Sequence, residues 1–274
     1  MVEALWLSVT AVHLSSAYPK WTSKLYQGLT ELRLSNPREP TEFIARPLPT
    51  PIPESALIAI LKSSPKLRIL QMGLIIKDAT SVRNPVKPVL LEDLELLVVD
   101  TRRDQHVVFM KLVRPGPKPL TLSIADSSYL NEISSTGRSY AEEFLTSSNI
   151  TRLILTGFVE YPDLINLLSL LPKVRVLALE ELLSRQQITD TNSLPLSFTI
   201  DTLYVTHCFH TPFEDYNIQV WSLIEEVIRR HSVAELVLWG YNDSAESIVP
   251  EHIYTVCPSV SVLWGGPDPI KEFK

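Results

Sequence analysis

The hydrophobic positions of this chain fall into one short pattern, apolar-x-x-Leu-x-Leu, which keeps returning. It reads Val2-Glu3-Ala4-Leu5-Trp6-Leu7, then Leu29-Thr30-Glu31-Leu32-Arg33-Leu34 and Leu67-Arg68-Ile69-Leu70-Gln71-Met72. It continues as Leu91-Glu92-Asp93-Leu94-Glu95-Leu96, a weaker Leu120-Thr121-Leu122-Ser123-Ile124, Ile150-Thr151-Arg152-Leu153-Ile154-Leu155 and Val174-Arg175-Val176-Leu177-Ala178-Leu179. The last copies are Ile200-Asp201-Thr202-Leu203-Tyr204-Val205, Val233-Ala234-Glu235-Leu236-Val237-Leu238 and Val260-Ser261-Val262-Leu263-Trp264. Alternation over five or six residues predicts a strand with one buried face. Between copies the apolar spacing turns helical, predicting helices at 55–63, 163–171 and 215–230. Shorter ones are predicted at 21–27, 139–147 and 245–255.

The first leucine of each Leu-x-Leu pair recurs at a mean spacing of about 29 residues, the long end of the leucine-rich-repeat range. One such strand cannot bury its apolar side alone. Ten stacked sideways make a parallel sheet with a continuous leucine core. The expected fold is therefore α/β: a leucine-rich-repeat solenoid of about ten irregular repeats, a ribonuclease-inhibitor-like horseshoe. The parallel sheet lines its concave face and the helices its convex face. A doubly wound sheet also alternates helix and strand, but it usually carries a glycine-rich first turn, which is missing here. The reading treats 1–274 as a single domain, with a Pro-rich insertion at 36–53 and a C-terminal cap at about 257–274. The insertion carries six prolines. Its polyproline bias suits a solvated loop, or less simply a Pro-rich peptide ligand.

Composition narrows the function. A net charge of −6 and a pI of about 5.6 disfavour nucleic acid as the partner. Two cysteines, Cys208 and Cys257, make no disulfide framework and suggest a reducing compartment, cytoplasmic or nuclear. No apolar run is long enough for a membrane span. An apolar stretch at 4–12 lacks the positive flank of a signal peptide and reads better as a strand. The chain has no Gly-x-Ser-x-Gly, P-loop, His-Glu-x-x-His or Gly-x-Gly-x-x-Gly motif. His207-Cys208-Phe209-His210 holds three possible metal ligands in four residues, yet lacks the two spaced pairs of a structural zinc site. Glu142-Glu143 and Glu180-Glu181 are adjacent in sequence, so their side chains point apart. No catalytic residue, cofactor or metal is expected, and the chain is not expected to be an enzyme.

The segment Ser64-Pro65-Lys66-Leu67-Arg68-Ile69-Leu70 resembles the leucine-rich repeats of F-box proteins. Residues Pro115-Gly116-Pro117-Lys118-Pro119-Leu120-Thr121-Leu122-Ser123-Ile124 are similar to the C-terminal regions of expanded F-box-like families of basidiomycete fungi. In those families an N-terminal F-box binds the adaptor of a cullin-RING ubiquitin ligase and the repeats present a substrate. Here no Leu-Pro-x-Glu-type opening precedes the strand at Val2, so the expectation is the repeat region without its F-box. The resemblance implies substrate recognition by a protein-binding scaffold, with the ligase adaptor a partner only if an F-box lies upstream. A free-standing leucine-rich-repeat regulator or inhibitor, unrelated to ubiquitin, is the alternative; an enzyme on an α/β sheet is a third.

Strand periodicity assigns the concave face, where a protein partner would dock. The candidates are Tyr204, Val237, Trp239 and Trp264 at the C-terminal end, Trp6 at the other, and Arg33, Glu95 and Arg152 between them. Clustered aromatics on a rigid sheet suit a binding hot spot. Equally, the C-terminal tail could cover them, because a solenoid end needs a cap.

Overall fold

A computed structural model of the 274-residue chain describes residues 8–35, 51–77, 87–100, 105–125, 138–158, 161–183, 198–207, 214–240, 249–263 and 265–273. The fold is α/β. Ten strands form one sheet, in the order β1 (Ala11–Ser15), β2 (Glu31–Ser35), β4 (Ile69–Met72), β7 (Leu96–Val99), β9 (Leu120–Ala125), β10 (Ile150–Phe158), β11 (Val176–Leu183), β12 (Thr202–Thr206), β13 (Glu235–Trp239) and β14 (Ser259–Leu263). Every pair with a defined register runs parallel. Six α-helices lie among the described residues: α1 (Glu54–Ser63), α2 (Gln105–Leu112), α3 (Arg138–Ser147), α4 (Tyr161–Ser169), α5 (Glu214–His231) and α6 (Glu251–Val256). Parallel neighbours need such crossovers. The chain divides into two compact units, one of residues 1–120 and 132–149, the other of 121–131 and 150–274.

In the first unit, β2 shows why the pattern folds as it does. Leu32 and Leu34 are fully buried, while Glu31, Arg33 and Ser35 alternate onto the other face. Helix α1 begins after Pro53, whose fixed φ suits a helix start. Glu54 in its first turn is favoured by the helix dipole. Leu57, Ile60 and Leu61 form its buried stripe, and it stops at Ser64, ahead of Pro65. The buried Ser64 hydroxyl accepts the Leu29 N–H (3.1 Å) and donates to the Tyr26 carbonyl (3.1 Å), tying the helix end to the loop before β2.

The first unit also departs from the expected register. The strand beside β2 is Ala11–Ser15, with Val12 opposite Leu32 and Leu14 opposite Leu34. The expected first copy around Leu5 lies outside the described residues. In the fourth copy Leu97 pairs with Leu70 and Val99 with Met72, so the motif starts at Leu94 rather than at Leu91. The segment Leu94 to Val99 fits the pattern in two frames three residues apart, and backbone pairing selects the second. Two small parallel sheets stand apart from the main one in hydrogen bonding, β3 (Pro51–Pro53) with β5 (Ile75–Lys77) and β6 (Val89–Leu91) with β8 (Val113–Pro115). Neither was expected, and the end of the 36–53 insertion supplies β3; residues 36–50 lie outside the described set. Helix α2 was also unexpected. Two of its five buried residues are polar, Gln105 and His106, which masks its apolar face, and Gln105 accepts the Ile76 N–H at 2.8 Å.

In the second unit the expected frame holds from β10 to β13. Leu153 and Leu155 align with Leu177 and Leu179, then with Leu203 and Val205, then with Leu236 and Leu238, and all are buried. Helix α5 buries Val220, Leu223, Ile224, Val227 and Ile228 at helical spacing. Its last turn carries Arg229 and Arg230, where cations meet the helix dipole favourably. The final strand is again shifted by three. Val260 and Val262 take the inward places opposite Leu236 and Leu238, which puts Leu263 opposite Trp239.

Candidate functional site

The second unit places its outward residues in three rows across five strands. The first row is Arg152, Val176, Thr202, Glu235 and Ser259. The middle row is Ile154, Ala178, Tyr204, Val237 and Ser261, and the last is Thr156, Glu180, Thr206, Trp239 and Leu263. A strand face of this kind would be open if nothing lay on it, yet Ile154 and Ala178 are buried. The chain's own C-terminal tail covers them. Ile270 is fully buried against Ile154 and Ala178, with Tyr204 and Phe273 packed around the cluster.

The tail is shaped by a local turn. Asp268 Oδ1 accepts the Ile270 N–H (2.9 Å), the Asp268 carbonyl accepts the Lys271 N–H (3.1 Å), and the Ile270 carbonyl accepts the Phe273 N–H (2.9 Å). This 3-10 turn sends Ile270 and Phe273 to one side. The Phe273 ring meets Tyr204 edge-on with centroids 5.7 Å apart, and the Arg152 guanidinium lies 5.0 Å from the Phe273 centroid. An aromatic pair contributes roughly 0.5–1.5 kcal/mol beyond area burial, and a partly exposed cation–π contact roughly 0.5–1 kcal/mol.

Of the expected candidates, Tyr204 and Arg152 thus share one cluster, and both contact the tail. Val237 is buried beside them in the middle row, and Trp239 is half-buried with its ring against His207. Trp264 and Trp6 lie outside the described residues. Leu263 was missed because the three-residue slip had assigned it inward; it is 40% exposed on the outward face.

The remaining two candidates lie in the first unit. Arg33 Nε donates to Glu31 (2.6 Å) and its Nη1 reaches Gln71 (3.4 Å), while His13 lies 2.6 Å from the same Glu31 oxygen. These four side chains form a polar row across β1, β2 and β4. Partial burial pushes the Glu31 carboxyl up, but the hydrogen bonds from Arg33 and His13 outweigh it and hold the group below its ordinary value. Glu95 is not on the face. The corrected register puts it one residue before β7, where it pairs with Arg68 (2.7 Å) and Lys118 (3.1 Å). The Arg68 hydrogen bond leads in holding its carboxyl low.

Among the described residues, chemistry-bearing groups are few. The Cys257 thiol is buried, which raises its pKa and suits a packing role. His231 is fully buried against Phe198, with neither ring nitrogen hydrogen-bonded, and desolvation followed by the nearby Arg230 charge pulls its pKa down to about 4. His207 sits just past β12 at φ +55, its ring edge-on to Trp239 at 4.6 Å. Its sequence neighbours Cys208 and His210 lie outside the described residues. The structure instead brings it to Glu180 and Asp268, and one ligand atom from each of the three lies within 4.8 Å of the others.

No protein-family model matches the chain, and no curated protein matches its sequence. Among the described residues no helix is long and apolar enough to cross a membrane.

Proposed function

We propose that this chain is a non-enzymatic protein-binding scaffold, a leucine-rich-repeat solenoid that recognises a peptide segment on the outward face of its sheet. The observation that carries the reading is the docked tail. A short turn presenting an aliphatic and an aromatic side chain three residues apart already lies on β10, β11 and β12. A face that accepts Ile270 and Phe273 from its own chain offers the same apolar and aromatic surface to a partner segment of like chemistry. Beside it, Val237, Trp239 and Leu263 continue the apolar character onto β13 and β14.

The resemblance to F-box repeats supports the finer reading, in which the scaffold is the substrate-recognition region of a ubiquitin-ligase receptor working in the cytoplasm or nucleus. The test has two arms. Affinity capture with the intact chain and with Tyr204→Ala and Trp239→Ala variants identifies a partner through its loss in both variants. Capture by the product of the whole gene then asks whether the ligase adaptor comes down too. Partner without adaptor favours a free-standing repeat regulator; capture indifferent to both substitutions removes the face from consideration.

A further inference from the structure

Three segments of the second unit bring ligand atoms together beside the docked tail: Glu180 in β11, His207 just after β12, and Asp268 at the start of the tail's turn. We infer that Glu180, His207 and Asp268 form a binding site for a divalent transition-metal ion of the zinc class, and that the ion fastens the C-terminal tail to the sheet.

One imidazole and two carboxylates suit Zn²⁺ and its neighbours, which accept nitrogen and oxygen ligands together and complete a tetrahedron with water. Ligands about 2.1 Å from zinc stand roughly 3.4 Å apart. The three atoms here lie within 4.8 Å of one another, so small side-chain movements close the site.

The second observation is independent of the distances. Asp268 is only 6% exposed, yet among the described residues it makes no ion pair with lysine or arginine. Its Oδ1 accepts one backbone N–H, that of Ile270. A buried carboxylate is costly without a positive partner, and a dication bound at Asp268 answers that charge.

The third is the positioning of the imidazole. His207 adopts a left-handed backbone, its N–H donates to the Trp239 carbonyl (3.2 Å), and its ring stands on the Trp239 ring. Gly240 closes the other side, where an added Cβ would lie 3.2 Å from Nδ1. Glu180 is oriented as well, accepting the Thr156 hydroxyl at 3.0 Å. Two ligands on the sheet and one on the tail make the ion a clasp, and this holds whatever the face binds.

The experiment uses the full chain, stripped with a chelator and titrated with ZnCl₂ by calorimetry. The expected result is one equivalent bound with a micromolar or tighter Kd, weakened at least about tenfold in each of Glu180→Gln, His207→Gln and Asp268→Asn. His252→Gln, at an exposed histidine on α6 beside Glu225, should leave the affinity unchanged. Zinc should also slow hydrogen exchange at the Ile270 and Phe273 amides in the unaltered chain but not in Asp268→Asn. Should Asp268→Asn fail to fold, judged by circular dichroism in chelator, the two sheet variants decide the matter. Absence of stoichiometric binding overturns the site. Binding that survives all three substitutions, or that His252→Gln abolishes, identifies an adventitious ion only. Binding without slower exchange at the two amides overturns the clasp.

Discussion

Phe273, the penultimate residue, lies edge-on against Tyr204 in β12, with 5.7 Å between ring centroids and 67° between planes. That pair joins the end of the chain to the middle of its second unit's sheet. It makes the tail part of the folded surface rather than an appendage.

The tail's contribution is measurable. Ile270→Ala should cost about 2–4 kcal/mol, as expected when a fully buried isoleucine is truncated. Phe273→Leu keeps apolar area while deleting the contacts with Tyr204 and Arg152, and should cost about 1 kcal/mol. Urea unfolding gives both numbers, and a loss below about 0.5 kcal/mol for Ile270→Ala would show that tail docking adds little.

Removing the tail should expose the surface it covers. A chain ending at Gly266 is expected to capture the partner about tenfold more strongly than the full chain, with the gain abolished by Tyr204→Ala. Equal capture by the two lengths, quantified by surface plasmon resonance once a partner is in hand, would place the partner's footprint elsewhere.

His231 predicts the acid behaviour. Its folded pKa of about 4 lies below the ordinary value of 6.5, so the unfolded chain binds the extra proton first. Stability from this residue is complete above about pH 6.5 and drains away as the pH falls towards 4. Neither ring nitrogen has a partner, so His231→Leu leaves no orphaned group behind. The variant should match the parent within about 1 kcal/mol at pH 7 and show a flatter slope between pH 6.5 and 4. Chemical unfolding across that range checks it, and an unchanged slope would assign the acid sensitivity to other groups.

Gly116 predicts a backbone effect. A Cβ there would collide with the Glu92 backbone, just past the small sheet of β6 and β8, where the Gly116 N–H donates to the Leu91 carbonyl. Gly116→Ala should therefore cost roughly 2–4 kcal/mol. Gly265→Ala, with open space around it, should stay within about 0.5 kcal/mol. Thermal melts of the two variants side by side make the comparison, and equal melting temperatures would mean that the β6–β8 segment yields easily.

Much of the α/β order was written in the leucines, because buried strands allow few substitutes at inward positions. The frame from Leu153 to Leu238 carries from sequence to structure without change. It slipped where apolar residues run together, from Leu94 to Val99 and from Val260 to Leu263, since adjacent apolar residues leave more than one frame with apolar side chains at the inward places. That slip put Glu95 on the wrong surface and hid Leu263. The clustering of Tyr204 and Arg152 with the tail was only half legible. Their outward direction followed from alternation, but their occupant depends on a turn set by Asp268. The meeting of Glu180, His207 and Asp268 had no local signal at all, because register brings together residues dozens of positions apart.

The docked tail has one further consequence. A segment attached to the surface it occupies competes from within, at an effective concentration on the order of millimolar for a short flexible connection. On the proposed reading, an outside ligand for this face would have to displace that rival, and weak, passing encounters would be filtered out. The docked segment would then act as a threshold whose height is set by the grip of Ile270 and Phe273.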